Sequence, residues 1–233
     1  YHPTKFGYHT FLGIRTGGCP PKNPVLELTD GTVKKVAGYT CDIFTDHALE
    51  FIKQNQQRPF LLSLHFRAPH AAWLPVRPED WEPFKELDPV IPNPDYPNLN
   101  IPLIKKRTRE YLAAVKSVDR NVGRVLALLE QLKIDRNTIV VFTSEHGDMM
   151  GDHAILHKTM MYEEAMRVPL LMRVPWLSQK QQMVRGRVGL VDLVPTLLDL
   201  MGEKTPTELQ GETRVPVLKG DADLSENDVI VQW

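Results

Sequence analysis

Cysteine is scarce: the 233 residues hold two, Cys19 and Cys41, too few for a disulfide framework. They neither demand nor exclude an oxidising compartment. No apolar run approaches the length of a membrane span, so no membrane-crossing segment is expected. Neither sign of charge dominates. Lys and Arg number 28 against 29 Asp and Glu, a formal net charge of −1. That balance gives no reason to expect nucleic acid or an anionic membrane as a partner. There is no internal repeat and no low-complexity tract. The chain begins Tyr1-His2-Pro3-Thr4, with no Met and no signal peptide. It ends in Val229-Ile230-Val231-Gln232-Trp233, which reads as a strand cut off in mid-sheet. The expectation is a piece of a longer protein, truncated at both ends, so that missing targeting signals say nothing about location.

What is present is an ordinary globular composition, long enough to bury a sizeable core in one large domain or two small ones. The richest stretch runs from Thr138 to Pro175. It opens with the β-branched run Ile139-Val140-Val141-Phe142, the composition of a strand buried on both faces of a parallel sheet. The character then changes abruptly to Ser144-Glu145-His146-Gly147-Asp148. Ligands in open α/β sheets sit at the carboxyl ends of strands, and a carboxylate beside an imidazole before a Gly turn suits a divalent metal. Gly151, Asp152, His153, His157 and Lys158 follow as a dense polar cluster. A short helical piece with Glu163 and Glu164 leads to a second apolar strand, Pro169 to Met172.

Elsewhere the pattern is legible in chain order. Val25–Leu28 and Thr32–Val33 flank Asp30-Gly31, a hairpin turn. Apolar positions recur at helical spacing from Thr40 to Gln54, with Thr40 as N-cap and His47 packed on the apolar face. Phe60–Phe66 reads as a buried strand that ends in Arg67-Ala68-Pro69-His70. Residues 71–104 carry many prolines and read as a long surface excursion in which Trp73, Trp81 and Tyr96 are candidate pocket linings. Lys105–Lys133 is the clearest helix, with an apolar stripe through Tyr111, Val115, Val118, Val122, Val125, Leu129 and Leu132. Arg120 and Arg124 fall on its solvated side. Strand, helix, strand implies a βαβ unit. Asp192 is placed to cap a helix that tolerates Pro195 and stops at Gly202.

The string T-S-E-H-G-D-x-x-G-D-H-x-x-x-x-K-x-x-x-Y-E-E-x-x-R-V-P-L, residues 143–170, resembles the signature of type I sulfatases, in the alkaline-phosphatase-like superfamily. Lys158 stands thirteen residues after Glu145 (158 − 145), as in the family, although Glu145 occupies the usual place of an Asp. Ala68-Pro69-His70 is similar to a second hallmark, with Ala72 where the family has Pro, and D-L-x-P-T-L-L at residues 192–198 is a third. The nucleophile motif C-x-P-x-R is not matched by Cys19-Pro20-Pro21-Lys22-Asn23, because Asn23 replaces the Arg. Cys19 therefore reads as a loop cysteine.

The resemblance implies an α/β fold, an alkaline-phosphatase-like sandwich with a mostly parallel central sheet flanked by helices. Residues 1–220 would form a partial catalytic domain and 221–233 the start of a C-terminal subdomain. It implies sulfuric ester hydrolysis by a formylglycine nucleophile lying upstream, with a sulfated small molecule or glycan as substrate. Glu145 and His146 would bind a divalent metal, Ca2+ by family habit, with two Asp ligands upstream. His70 and Lys158 would hold the sulfate oxygens, one of them protonating the leaving alkoxide, and His153 would touch substrate. His153 and His157 at i, i+4 also invite a zinc reading, but no Cys or further His surrounds them. The alternatives are a phosphodiesterase or phosphonate monoester hydrolase of the same superfamily, with Mn2+, or an inactive truncated domain. A periplasmic, secreted or lysosome-like location follows from the resemblance, and the isolated chain is expected not to turn over.

Overall fold

In the computed structural model of the protein, residues 2–178 and 180–231 are described. The end of the strand expected at Val229–Trp233 lies partly outside them, and Val229–Val231 form no ladder. The chain divides into two units, one of residues 1–135 and 148–158, the other of residues 136–147 and 159–233.

The first unit opens with a three-stranded antiparallel sheet in the order β1 (Leu12–Gly13), β2 (Val25–Leu28), β3 (Val33–Lys35). The hairpin closes as its residues dictate. Gly31 takes φ +84°, and the Asp30 carboxylate accepts from the Thr32 amide at 2.9 Å. Helix α1 (Thr40–Asn55) packs on the long α3 (Ile101–Gln131), and the one-turn α2 (Pro78–Trp81) lies against α3. Phe44, Ala48 and Ile52 of α1 and Ile104, Ala113, Ala114 and Val118 of α3 are buried. Tyr39, not Thr40, is the N-cap residue of α1; the Thr40 hydroxyl instead donates to the Pro20 carbonyl at 2.7 Å. His47 is exposed rather than packed. The start of α3 lies four residues before the expected Lys105 because Asn100 accepts from the Leu103 amide and Pro102 fits the first turn.

The buried face of α3 differs from the apolar stripe. Ser117 and Asn121 are buried, whereas Val115 is 37% exposed. The cause is a pair of carboxylates from neighbouring helices. Asp80 of α2 is 0% exposed and accepts from Arg120 at 2.9 and 3.0 Å. Asp42 of α1 accepts from Arg120 at 2.8 Å and from Asn121 at 3.0 Å, and also pairs with Arg77. Arg124 reaches Asp46. Arg120 and Arg124, expected on the solvated side, thus face α1 and α2, since two buried carboxylates without counter-ions would be far more costly.

Phe60–Phe66 forms no strand and pairs with none among the described residues, and Leu61 is 71% exposed. The expected buried strand is therefore not formed here: a run of this composition needs neighbours on both edges, and none of the described segments supplies them.

In the second unit β4 (Val140–Thr143) pairs with β5 (Leu170–Arg173) antiparallel, with Val141 opposite Met172 and Phe142 opposite Leu171. The ladders among the described residues are thus antiparallel rather than parallel, and neither face of β4 is wholly buried, with Phe142 39% exposed. The short α4 (Glu163–Met166) precedes β5, and α5 (Leu193–Leu200) and α6 (Val215–Lys219) follow. Asp192 is the N-cap residue of α5, but its side chain bonds no amide of the helix's first turn. Its carboxylate accepts from the Glu212 amide at 3.0 Å and Arg214 Nε at 2.9 Å, tying the returning chain to the helix. Gly202, at φ +77°, follows the end of α5.

Candidate active site

At the carboxyl end of β4 the backbone turns outward through Ser144. The Ser144 hydroxyl donates to the His146 carbonyl at 2.8 Å. The His146 ring lies between two oxygen atoms. Its Nδ1 is 2.7 Å from the Gly147 carbonyl, and its Nε2 is 2.9 Å from Glu145 Oε1. A carbonyl only accepts, so Nδ1 carries the proton that bonds it. In the neutral ring Nε2 then holds a lone pair facing a carboxylate. Two acceptors at that distance repel unless a proton or a cation stands between them. Pinning the far nitrogen to a backbone carbonyl is also how metal-binding imidazoles are oriented. The two residues expected as metal ligands are therefore brought together, with an acceptor set that fits a divalent cation.

Gly147 holds this turn against α4. Its amide donates to the Ala165 carbonyl at 2.7 Å, and a Cβ there would lie 1.9 Å from the Glu164 carbonyl oxygen. Only glycine permits the approach.

The segment of residues 148–158 belongs to the first unit and lies on α3. Met149 is 1% exposed. Gly151, at φ +100°, sits so close to α3 that a Cβ would meet Ile104 at 2.6 Å. Asp148 accepts from the Met150 amide at 3.0 Å. Burial first, and then the Asp148 charge, pushes the Tyr111 phenol up, which places that carboxylate near α3. Asp152, 5% exposed, accepts from Asn93 Nδ2 at 2.6 Å and from the His153 amide at 2.8 Å. His153 is held at φ +52°, and its ring meets Tyr96 edge-on, 5.6 Å between centroids. The proline-rich excursion is thus anchored beside His153 through Asn93 and Tyr96. His157 is exposed and contributes a carbonyl to the Met149 amide at 3.2 Å. Lys158 is half-buried, and its ammonium has no carboxylate partner among the described residues.

His70 lies exposed in the loop after Phe66. Its Nδ1 is 2.6 Å from the Ala71 carbonyl, so Nδ1 is the protonated nitrogen and Nε2 the free one. Arg67 spans this loop, donating to the carbonyls of His70 and Ala72 at 3.0 Å each and to that of Ala71. Trp73 donates to the Pro69 carbonyl at 2.7 Å, which turns its indole toward the loop. Sequence reasoning passed over Arg67; the available signal was a lone cation inside the strand-end turn.

Both cysteines are free. Burial pushes the Cys19 thiol up, and it pushes that of Cys41 up to about 11. Neither has the lowered pKa of a reactive thiol. No described helix is long and apolar enough to cross a membrane.

A model of the sulfatase family matches residues 2–203. Arylsulfatase K of Canis lupus familiaris is 30% identical over 206 residues, which cover 74% of this chain and 38% of that protein. The N-acetylglucosamine-6-O-sulfatase of Bacteroides thetaiotaomicron is 26% identical over 260 residues, covering 79% of this chain and 47% of the relative. The chain thus spans less than half the length of these relatives. A solved structure in complex with its substrate D-glucosamine-2-N,6-O-disulfate superposes with a TM-score of 0.84 at 24% identity, over 95% of this chain and 60% of that one. That likeness is one of fold.

Proposed function

The chain belongs to the sulfatase family, and from that premise we propose that the whole protein hydrolyses sulfate monoesters. The observation that carries the reading is the Glu145–His146 pair at the tip of β4, a carboxylate oxygen and an imidazole nitrogen 2.9 Å apart with the far ring nitrogen fixed by a backbone carbonyl. Glu145 and His146 would hold a divalent cation, Ca2+ in this reading. When bound, it supplies charge neutralisation for the sulfate oxygens.

The chain's own residues supply the rest. Lys158, an ammonium without a carboxylate partner among the described residues, binds sulfate oxygens as a point charge. His70, with its proton on Nδ1, offers Nε2 to the substrate and, once protonated there, carries a proton to the leaving alkoxide. His153, set by Asp152 and Tyr96, contacts the organic part of the ester. The nucleophile is assigned to the rest of the whole protein, since Asn23 stands where a C-x-P-x-R motif starting at Cys19 would need Arg. Residues 1–220 are assigned to the catalytic domain and 221–233 to the start of a C-terminal subdomain. A sulfated sugar is the favoured substrate class, supported by the sugar-sulfatase relative. An exported or lysosome-like location accompanies it.

The test is turnover by the whole protein of 4-nitrophenyl sulfate and glucosamine 6-sulfate beside an aryl phosphodiester. Faster sulfate release supports the reading, and faster phosphodiester cleavage replaces it with the phosphodiesterase alternative. The isolated 233-residue chain is expected to show neither activity.

A further inference from the structure

Arg67 has no part in the hydrolysis proposed above, yet its side chain makes most of the contacts that shape the His70 loop. Its two terminal nitrogens together reach three successive carbonyls, those of His70, Ala71 and Ala72. The His70 amide closes the turn by donating to the Arg67 carbonyl at 2.9 Å. The Ala71 carbonyl is shared, accepting from Arg67 Nη2 and from His70 Nδ1. Arg67 Nη2 also lies 3.5 Å from His70 Nδ1, where two donors face one another and cannot bond. The other edge of the guanidinium points inward: Nε is buried without a partner among the described residues, and a Cβ on Gly18 would lie only 3.7 Å from it. The guanidinium thus has its Nε edge buried and its forked edge presented to the loop.

We propose that Arg67 is a positioning residue for His70: by fixing the Ala71 carbonyl it selects the tautomer in which His70 carries its proton on Nδ1 and presents Nε2 to the substrate. An imidazole in water places its proton by its surroundings, and the partner of one nitrogen decides what the other offers. Only a planar fork reaches three carbonyls in fixed directions; an ammonium at the same point has three donors on one atom and cannot span them. The inference rests on the reading of His70 as a site residue, but the Arg67–His70 relation is measurable without turnover.

The experiment is two-bond 1H–15N correlation NMR of the histidine-labelled full chain at about pH 8, where an ordinary imidazole is neutral. His70 is assigned by the loss of its signals in His70→Ala. The expected result is the Nδ1–H tautomer in the wild type and a shift to Nε2–H in Arg67→Ala. Arg67→Lys, which keeps the charge and stem, shifts in the same direction. A His70 ring that keeps Nδ1–H in folded Arg67→Lys and Arg67→Ala overturns the proposal.

In the whole protein, Arg67→Lys lowers kcat on an aryl sulfate by about 10- to 100-fold, with KM changed by no more than about twofold, as expected for a misaimed catalytic group. An unchanged kcat in Arg67→Lys, alongside a large loss in His70→Ala, also overturns it. If His70→Ala itself turns over normally, the functional reading fails, while the NMR result still judges the clamp.

Discussion

His146 answers to two neighbours at once, and its ring geometry follows from satisfying both. The Gly147 carbonyl accepts the Nδ1–H hydrogen bond, which leaves Nε2 to meet the Glu145 carboxylate. On the proposed reading, replacing His146 by Ala removes one ligand, and replacing Glu145 by Gln removes the charge from the other. Each is expected to weaken Ca2+ binding by the whole protein by at least about 10- to 100-fold, read by isothermal titration calorimetry. On the same reading, His70→Ala and Lys158→Ala act on the anion instead. Each is expected to lower kcat/KM by about two to three orders of magnitude with little change in Ca2+ affinity. Normal rates in both variants would remove these two residues from the site. At this scale Glu145-His146-Gly147 and Ala68-Pro69-His70 stand out in the sequence because they are local strings whose hydrogen bonds are made within a few residues. Arg67 escaped notice because its role depends on the path of a loop, and spacing alone does not reveal which carbonyls a turn will gather.

Helices α1, α2 and α3 are joined by carboxylates rather than by apolar contact alone. Asp80 is fully buried, and its main counter-charge is Arg120, whose own pKa is raised chiefly by the hydrogen bonds to Asp80. Arg120→Ala leaves that carboxylate buried and unpaired, and is expected to cost about 3–5 kcal/mol of stability, read by denaturant unfolding. Burial alone would raise the pKa of Asp42. Hydrogen bonds from Arg77, Asn121 and Arg120 outweigh it and hold the carboxyl below its ordinary value. The folded-state pKa is thus depressed, so this contribution to stability is fully present above the ordinary carboxylate pKa of about 3.9 and is lost as pH falls below it. Acid unfolding monitored by circular dichroism should show a steeper loss below that point in the wild type than in Asp42→Asn. A parallel loss in the two would argue against the network's role.

Gly147→Ala belongs to the same scale, since its Cβ would strike the Glu164 carbonyl. A lowered Tm and weakened Ca2+ binding are expected together. The elements themselves were readable from periodicity: α1, β4 and the Asp30-Gly31 turn fall close to where apolar spacing and turn chemistry put them, and α3 does so apart from its start, which lies four residues earlier. The buried face of α3 was not readable. Its Ser117, Asn121 and Arg120 look like surface residues until the carboxylates opposite them are known. Phe60–Phe66 misled for the converse reason, since its composition describes a strand whose partners are not among the described segments.

For the whole molecule, the match to the sulfatase family over residues 2–203 and the fold likeness agree with the motifs, while the chain spans less than half the length of its curated relatives. Sulfate ester hydrolysis therefore has to be judged on the whole protein. The most direct measurement is its turnover of 4-nitrophenyl sulfate, with and without Ca2+, in the wild type and in His146→Ala. The account predicts sulfate release that disappears on chelation, returns with Ca2+, and is nearly abolished in His146→Ala. Sulfate release that is indifferent to both chelation and His146→Ala would contradict it.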